Sequence, residues 1–137
     1  MQALIEQDGS LLLERRSDCG RWGLIGGGVE VHESLEDALR REVFEETGLE
    51  VREHELFCVL SDPSRIIRYP DGNVRRIISF VFRVEVESFE TLRRSEESEE
   101  LRFVEPEQLE KLDIIETARP IIREYLSGDV SQVALLE

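Results

Sequence analysis

Lysine is almost missing from this 137-residue chain: Lys111 is the only one, and the other 16 of its 17 basic residues are arginine. Bases of both kinds are outnumbered by 31 acids, which leaves a net charge of −14. So acidic a surface repels a nucleic-acid backbone, and no basic stripe interrupts it, so nucleic acid is not an expected partner. Long apolar runs are absent as well, and no segment suits a bilayer span. The opening stretch MQALIEQDGSLLLERR carries acids where a signal peptide carries positive charge, and it has no cleavage pattern. Cysteine is scarce. Cys19 and Cys58 form no zinc-type or CxxC spacing, which points to reduced thiols and a cytoplasmic setting.

What the chain does have is acid, arginine and enough apolar residues, 40% of the total, to bury a core as one domain over residues 1–137. If the substrate of so acidic a protein is itself anionic, something local must offset the repulsion. Bound divalent ions and clustered arginines are two means. Arg15, Arg16 and Arg21 precede a triple glycine, and Arg65, Arg68, Arg75 and Arg76 flank a turn downstream. Any one of them taken alone reads first as an ion-pair partner for surplus glutamate.

Residues 2–15 predict a hairpin, with Asp8-Gly9 at the turn between Ala3-Leu4-Ile5 and Leu11-Leu12-Leu13. Residues 17–28 read as a glycine-rich loop. A helix follows, with Ser34 and Asp37 spaced as a capping box and Gly48 as the C-terminal stop. Strands are expected at 55–61 and 75–87, with Tyr69-Pro70-Asp71-Gly72-Asn73 as a tight reversal between them. The acidic stretch 88–100 reads as a mobile loop, 101–104 as a short edge strand, and 106–112 as a helical turn or two. A last helix is expected over 117–126, with Pro120 in its tolerant first turn. Strands and helices interleave without strict βαβ alternation, so the expected fold is α/β with a mixed sheet flanked by helices.

The first helix carries the chemistry. A run of glutamates on a helix ordinarily forms a solvated face. At about 100° per residue, however, Leu35, Leu39 and Val43 make one stripe, with Glu42 and Glu46 on or beside it and Glu45 within roughly a quarter turn. Acids along a buried edge are costly unless paired or metal-bound. Glu42, Glu45 and Glu46 stand at i, i+3 and i+4 and are expected to converge. Such a trio is relieved by magnesium or manganese, which prefer oxygen ligands. Arg41 can orient a glutamate through a bidentate contact, with Glu33 as its expected partner. The glycines at 26–28 let the backbone approach the ions.

Residues 27–49, GGVEVHESLEDALRREVFEETGL, resemble the signature of the Nudix hydrolases: a glycine, five residues, glutamate, seven residues, Arg-Glu-aliphatic, one residue, Glu-Glu, one residue, Gly-aliphatic. Gly27, Glu33, Arg41, Glu42, Val43, Glu45, Glu46, Gly48 and Leu49 meet every fixed position. Two neighbours depart from the common pattern: Ile25 where many members have proline, and His32 where many have glycine. The resemblance implies an α/β/α sandwich and hydrolysis of a nucleoside diphosphate linked to another group. It further implies that Glu42, Glu45, Glu46 and the Gly26 carbonyl bind magnesium, or manganese in its place, while Glu33 and Arg41 brace them. The general base is a helix glutamate or an acid of the later loop, where Glu96, Glu97, Glu99 and Glu100 are available and Glu97 is favoured.

Substrate choice lies outside the signature. Trp22 and Tyr69 are candidates to stack on a base or sugar, and Arg15, Arg65, Arg68, Arg75 and Arg76 to contact phosphates. Ser61-Asp62-Pro63-Ser64-Arg65 resembles bacterial members labelled ADP-ribose or nucleotide-sugar pyrophosphatases. Oxidised nucleoside triphosphates are the next option. A nucleotide-sensing module without hydrolysis is a third, although such modules usually lose a signature glutamate. Homodimers are common in that family, and the strand at 77–86 is a candidate for such an interface, although the sequence does not fix the oligomeric state.

Overall fold

The Asp8-Gly9 turn sets the first hairpin. Both residues have positive φ, 51° and 82°, the geometry that matches the twist of two strands joined by a two-residue loop. In the computed structural model, which describes residues 1–128 and 132–137, the hairpin joins β1 (Gln2–Gln7) to β2 (Ser10–Arg16). The two strands pair only near the turn, through Glu6–Leu11 and Gln7–Ser10, and then diverge into different sheets. The segment expected as a glycine-rich loop bridges that divergence with β3 (Trp22–Gly23) on β2 and β4 (Ile25–Gly26) on β1. It forms strand because Trp22, Leu24 and Ile25 are buried and their backbone groups need partners. Ile25 fills core space there.

Next comes α1 (Leu35–Thr47), with the expected capping box: Asp37 N–H donates to Ser34 Oγ at 3.0 Å and Ser34 N–H to Asp37 Oδ2 at 3.2 Å. Gly48 closes it in the left-handed conformation, φ 71°, donating to the Phe44 carbonyl. The remaining elements are β5 (Val51–Leu60), β6 (Ile66–Arg68), β7 (Val74–Arg76), β8 (Ser79–Val86), β9 (Ser98–Val104), α2 (Pro106–Leu109), α3 (Arg119–Ser127) and β10 (Ala134–Leu136). The strand expected at 75–87 is two: β7 pairs with β6 as a separate hairpin, and β8 enters the main sheet. β10, which runs parallel to β5, has no counterpart in the sequence reading.

One mixed sheet runs β10-β5-β8-β1, with β4 on the far edge of β1; β10–β5 and β8–β1 are parallel, and the other pairs antiparallel. The second sheet centres on β2, with β9 and β3. Period-two alternation divides the strands between two cores. Ala3, Ile5, Leu12, Phe82 and Val84 pack on one side with Ala38, Leu39 and Val43 of α1. Leu4, Leu11, Leu13 and Val81 pack on the other with Ile121 and Ile122 of α3. The expected α/β/α layering is thus observed. Burying a side chain such as Leu39 contributes about 2 kcal/mol.

Two expectations need correction. The segment expected as a mobile loop is tied down. Phe89 and Leu92 pack on the α1-side core, Arg93 N–H donates to the Thr47 carbonyl at 2.8 Å, and Thr91 Oγ1 donates to that of Gly48 at 2.8 Å. Its last three residues, 98–100, already belong to β9. The proposed interface strand, β8, has both edges occupied by β1 and β5, so a second copy cannot pair with it.

Candidate active site

The site lies where α1, β4, β2 and the β6–β7 hairpin border a cleft of about 1070 Å³. Glu46, on the last turn of α1, is only 4% exposed, and its Oε2 accepts the Gly26 N–H at 2.8 Å. Burial pushes its carboxyl up to about 9, and the charges of Glu14, Glu42 and Glu97 push the same way. Glu42, one turn earlier, lies against Gly27, where an added Cβ would fall on its carboxylate. That contact explains why this position is glycine. A Cβ on Gly26 would meet the Met1 carbonyl and the backbone of Gln2, so the tight β1–β4 pairing demands glycine there too. Glu42 is itself raised, chiefly by burial, against the lowering effect of Arg41.

Arg41 braces the outer side. It grips Glu33 bidentately, Nε to Oε2 at 2.7 Å and Nη2 to Oε1 at 2.8 Å, and also donates to Glu42 Oε1, Glu45 Oε2 and the Gly28 carbonyl. That grip holds the Glu33 carboxyl down at about 2. The Glu33–Arg41 pair expected from sequence is present. The convergence of Glu42, Glu45 and Glu46 is not. Glu45 is drawn outward onto Arg41 with its side chain 56% exposed, and among the described residues no three acids gather at metal-ligand spacing.

The acid that does face Glu46 is one the sequence reading missed. Glu14 of β2 is 7% exposed, lines the same cleft, and has an Oε2 without a partner. Burial pushes its carboxyl up to about 7. The available signal was an acid directly after three core leucines. Glu97, on the turn before β9, lines the cleft as well and adds its charge to that of Glu14, Glu42 and Glu46. Its carbonyl is held by the N–H and Oγ of Ser17 at 3.0 and 2.8 Å. The competing loop acids Glu99 and Glu100 are paired with Arg15 and Arg102.

Two substrate candidates are misplaced. Arg15 alternates away from Glu14, pairs with Glu99 at 3.1 Å, and does not border the cleft. Trp22 is 6% exposed in the α3-side core, with Arg102 stacked 4.7 Å from its ring centroid. Arg65 and Tyr69 do border the cleft. Arg65 donates to Ser79 Oγ at 2.8 Å, its Nε has no partner, and among the described residues no carboxylate pairs with it. His32, the departure noted within the signature, is 80% exposed beside Glu30.

Carboxylates buried together without a cation, one oxygen unpartnered, fit a hard divalent ion: oxygen donors of negative charge whose repulsion such an ion would relieve.

The NUDIX domain family model matches residues 2–125. The chain belongs to the Nudix hydrolase family. This Nudix hydrolase is 34% identical over 127 residues to nucleoside triphosphatase NudI of Escherichia coli O17:K52:H18 (strain UMN026 / ExPEC), covering 88% of this chain and 90% of that protein. Among solved structures it is similar to the MutT protein from Bacillus halodurans, with a TM-score of 0.75, 26% identity, and coverage of 93% of this chain and 81% of that one. An ADP-ribose pyrophosphatase from Streptococcus suis 89-1591 shares the fold at a TM-score of 0.76 and 21% identity, covering 98% of this chain and 95% of that one. Nudix hydrolases generally use divalent metal ions. No helix among the described residues is long and apolar enough to cross a membrane.

Proposed function

We propose that residues 1–137 act as one domain that hydrolyses a phosphoanhydride of a nucleoside diphosphate linked to a further group, with magnesium or manganese as cofactor. A nucleoside triphosphate, in which that group is phosphate, is the favoured substrate. ADP-ribose, the first expectation from sequence, moves to second place. The relative covering most of the chain at 34% identity is named a nucleoside triphosphatase, whereas the ADP-ribose pyrophosphatase, at 21%, bears on fold alone.

One observation carries the reading: the same cleft presents carboxylates with no cation, Glu14 and Glu46, and a guanidinium with no anion, Arg65. A phosphate chain bound together with a divalent ion would satisfy both. Glu42 and Glu46, with the Gly26 carbonyl, would hold the divalent ion, which when bound neutralises phosphate charge and acidifies water, while Glu45 stays outward on Arg41. Arg65, positioned by Ser79, binds a phosphate oxygen through its guanidinium. Tyr69, stacked under Arg75 at 5.3 Å, offers a ring face to the base or sugar. Glu97 accepts the proton of the attacking water, which adds to one phosphorus and expels the distal group, here pyrophosphate, leaving a nucleoside monophosphate. Arg41 and Glu33 act by bracing Glu42.

Formation of nucleoside monophosphate from a panel of nucleoside triphosphates, oxidised triphosphates, ADP-ribose and nucleotide sugars, with and without magnesium, tests this. Triphosphates should turn over fastest and only with metal. Binding without any turnover would favour a sensing module and sink the proposal.

A further inference from the structure

We propose that Glu14 is a further carboxylate ligand of the divalent cation held at Glu46, supplied by β2 from outside the acidic helix. The assignment rests on the metal-dependent reading above and extends its ligand set. Glu14 is 93% buried by its 7% exposure, borders the cleft, and leaves Oε2 without a hydrogen-bond partner. A buried polar atom of this kind is costly unless something absent from the protein atoms completes it.

The two arginines nearest these acids along β2 and α1 are committed elsewhere. Arg16, on the neighbouring position of β2, is held bidentately by Asp18 at 3.0 and 2.7 Å. Arg41 is spent on Glu33, Glu42, Glu45 and the Gly28 carbonyl. Among the described residues, neither Glu14 nor Glu46 has an ion-pair partner.

Placement fits the role. Leu12 points to the α1 side of β2, and Glu14, two residues on, follows the same side to where the core opens into the cleft. Glu46 reaches that space from α1, anchored by the Gly26 N–H. Magnesium demands oxygen ligands from several directions in near-octahedral array. Acids on one helix approach from one side only, and Glu45 is turned outward. β2 supplies a second direction.

Manganese binding, followed by electron paramagnetic resonance without nucleotide, tests the assignment in wild type, Glu14→Gln and Glu14→Asp. Thermal melts in EDTA verify that each is folded. Glu14→Gln should bind manganese about tenfold or more weakly than wild type, with Glu14→Asp between the two. Wild-type affinity in Glu14→Gln would overturn the assignment while leaving metal-dependent hydrolysis intact. A wild type that binds no manganese would overturn both. If the glutamine variant fails to fold, Glu14→Asp decides alone: weakened affinity supports the ligand role and unchanged affinity refutes it.

Discussion

Replacing Glu46 by glutamine should make the metal-free protein more stable, and increasingly so as pH rises. The Glu46 carboxyl is pushed from its ordinary 4.5 up to about 9 by burial and by the charges of Glu14, Glu42 and Glu97. An acid raised in this way holds its proton in the folded state while the unfolded chain has released it. Its contribution is therefore fully present below pH 4.5 and is lost progressively as pH climbs toward 9. The loss runs at about 1.4 kcal/mol per pH unit, which by pH 8 amounts to an upper figure of about 5 kcal/mol. Water entering the open cleft softens the penalty, so about 2–3 kcal/mol is expected. Glutamine keeps an acceptor for the Gly26 N–H, removes the charge, and offers an amide donor toward the cleft. Melting curves in EDTA should show Glu46→Gln level with wild type near pH 5 and higher in Tm by about 5–10 °C at pH 8. Magnesium should raise the Tm of wild type and not of the variant. A gap between the two proteins that stays constant from pH 5 to pH 8 would refute the reasoning.

Three further outcomes follow from the same geometry. Arg65→Ala, which removes a cleft guanidinium that has no carboxylate partner among the described residues, should raise KM for a nucleoside triphosphate by about tenfold or more with little change in kcat, read from steady-state kinetics. Glu97→Gln should lower kcat by about a hundredfold or more, whereas Glu99→Gln and Glu100→Gln, which alter acids already paired with Arg15 and Arg102, should stay near wild type; equal losses in all three would remove Glu97 from its role. Glu33→Gln should leave the fold intact yet cut turnover by about tenfold by loosening the Arg41 brace on Glu42, and wild-type kinetics would show the brace to be dispensable.

Much of this was legible because it depends on local spacing. The cap at Ser34, the stop at Gly48, the Asp8-Gly9 turn and the Glu33–Arg41 pair all involve residues close in sequence whose geometry the backbone imposes. What escaped depends on tertiary neighbours. Glu14 looks like the polar end of a strand until the fold buries it at the cleft. Arg15 and Arg16 are indistinguishable in sequence, yet strand alternation sends only Arg16 to the cleft. Trp22 sits in a glycine-rich stretch, and only the pairing of β3 with β2 shows that it is core. Helical periodicity placed Glu42 and Glu46 correctly but misjudged Glu45, because the Arg41 guanidinium draws that side chain outward.

The most direct test of the central claim, that acids around Glu46 gather a divalent ion for phosphoanhydride hydrolysis, is phosphorus NMR of a nucleoside triphosphate incubated with the protein. Wild type with magnesium should yield a nucleoside monophosphate and pyrophosphate, while wild type in EDTA and Glu46→Gln with magnesium should leave the triphosphate intact. Hydrolysis that continues unchanged in EDTA, or at the wild-type rate in Glu46→Gln, would contradict it.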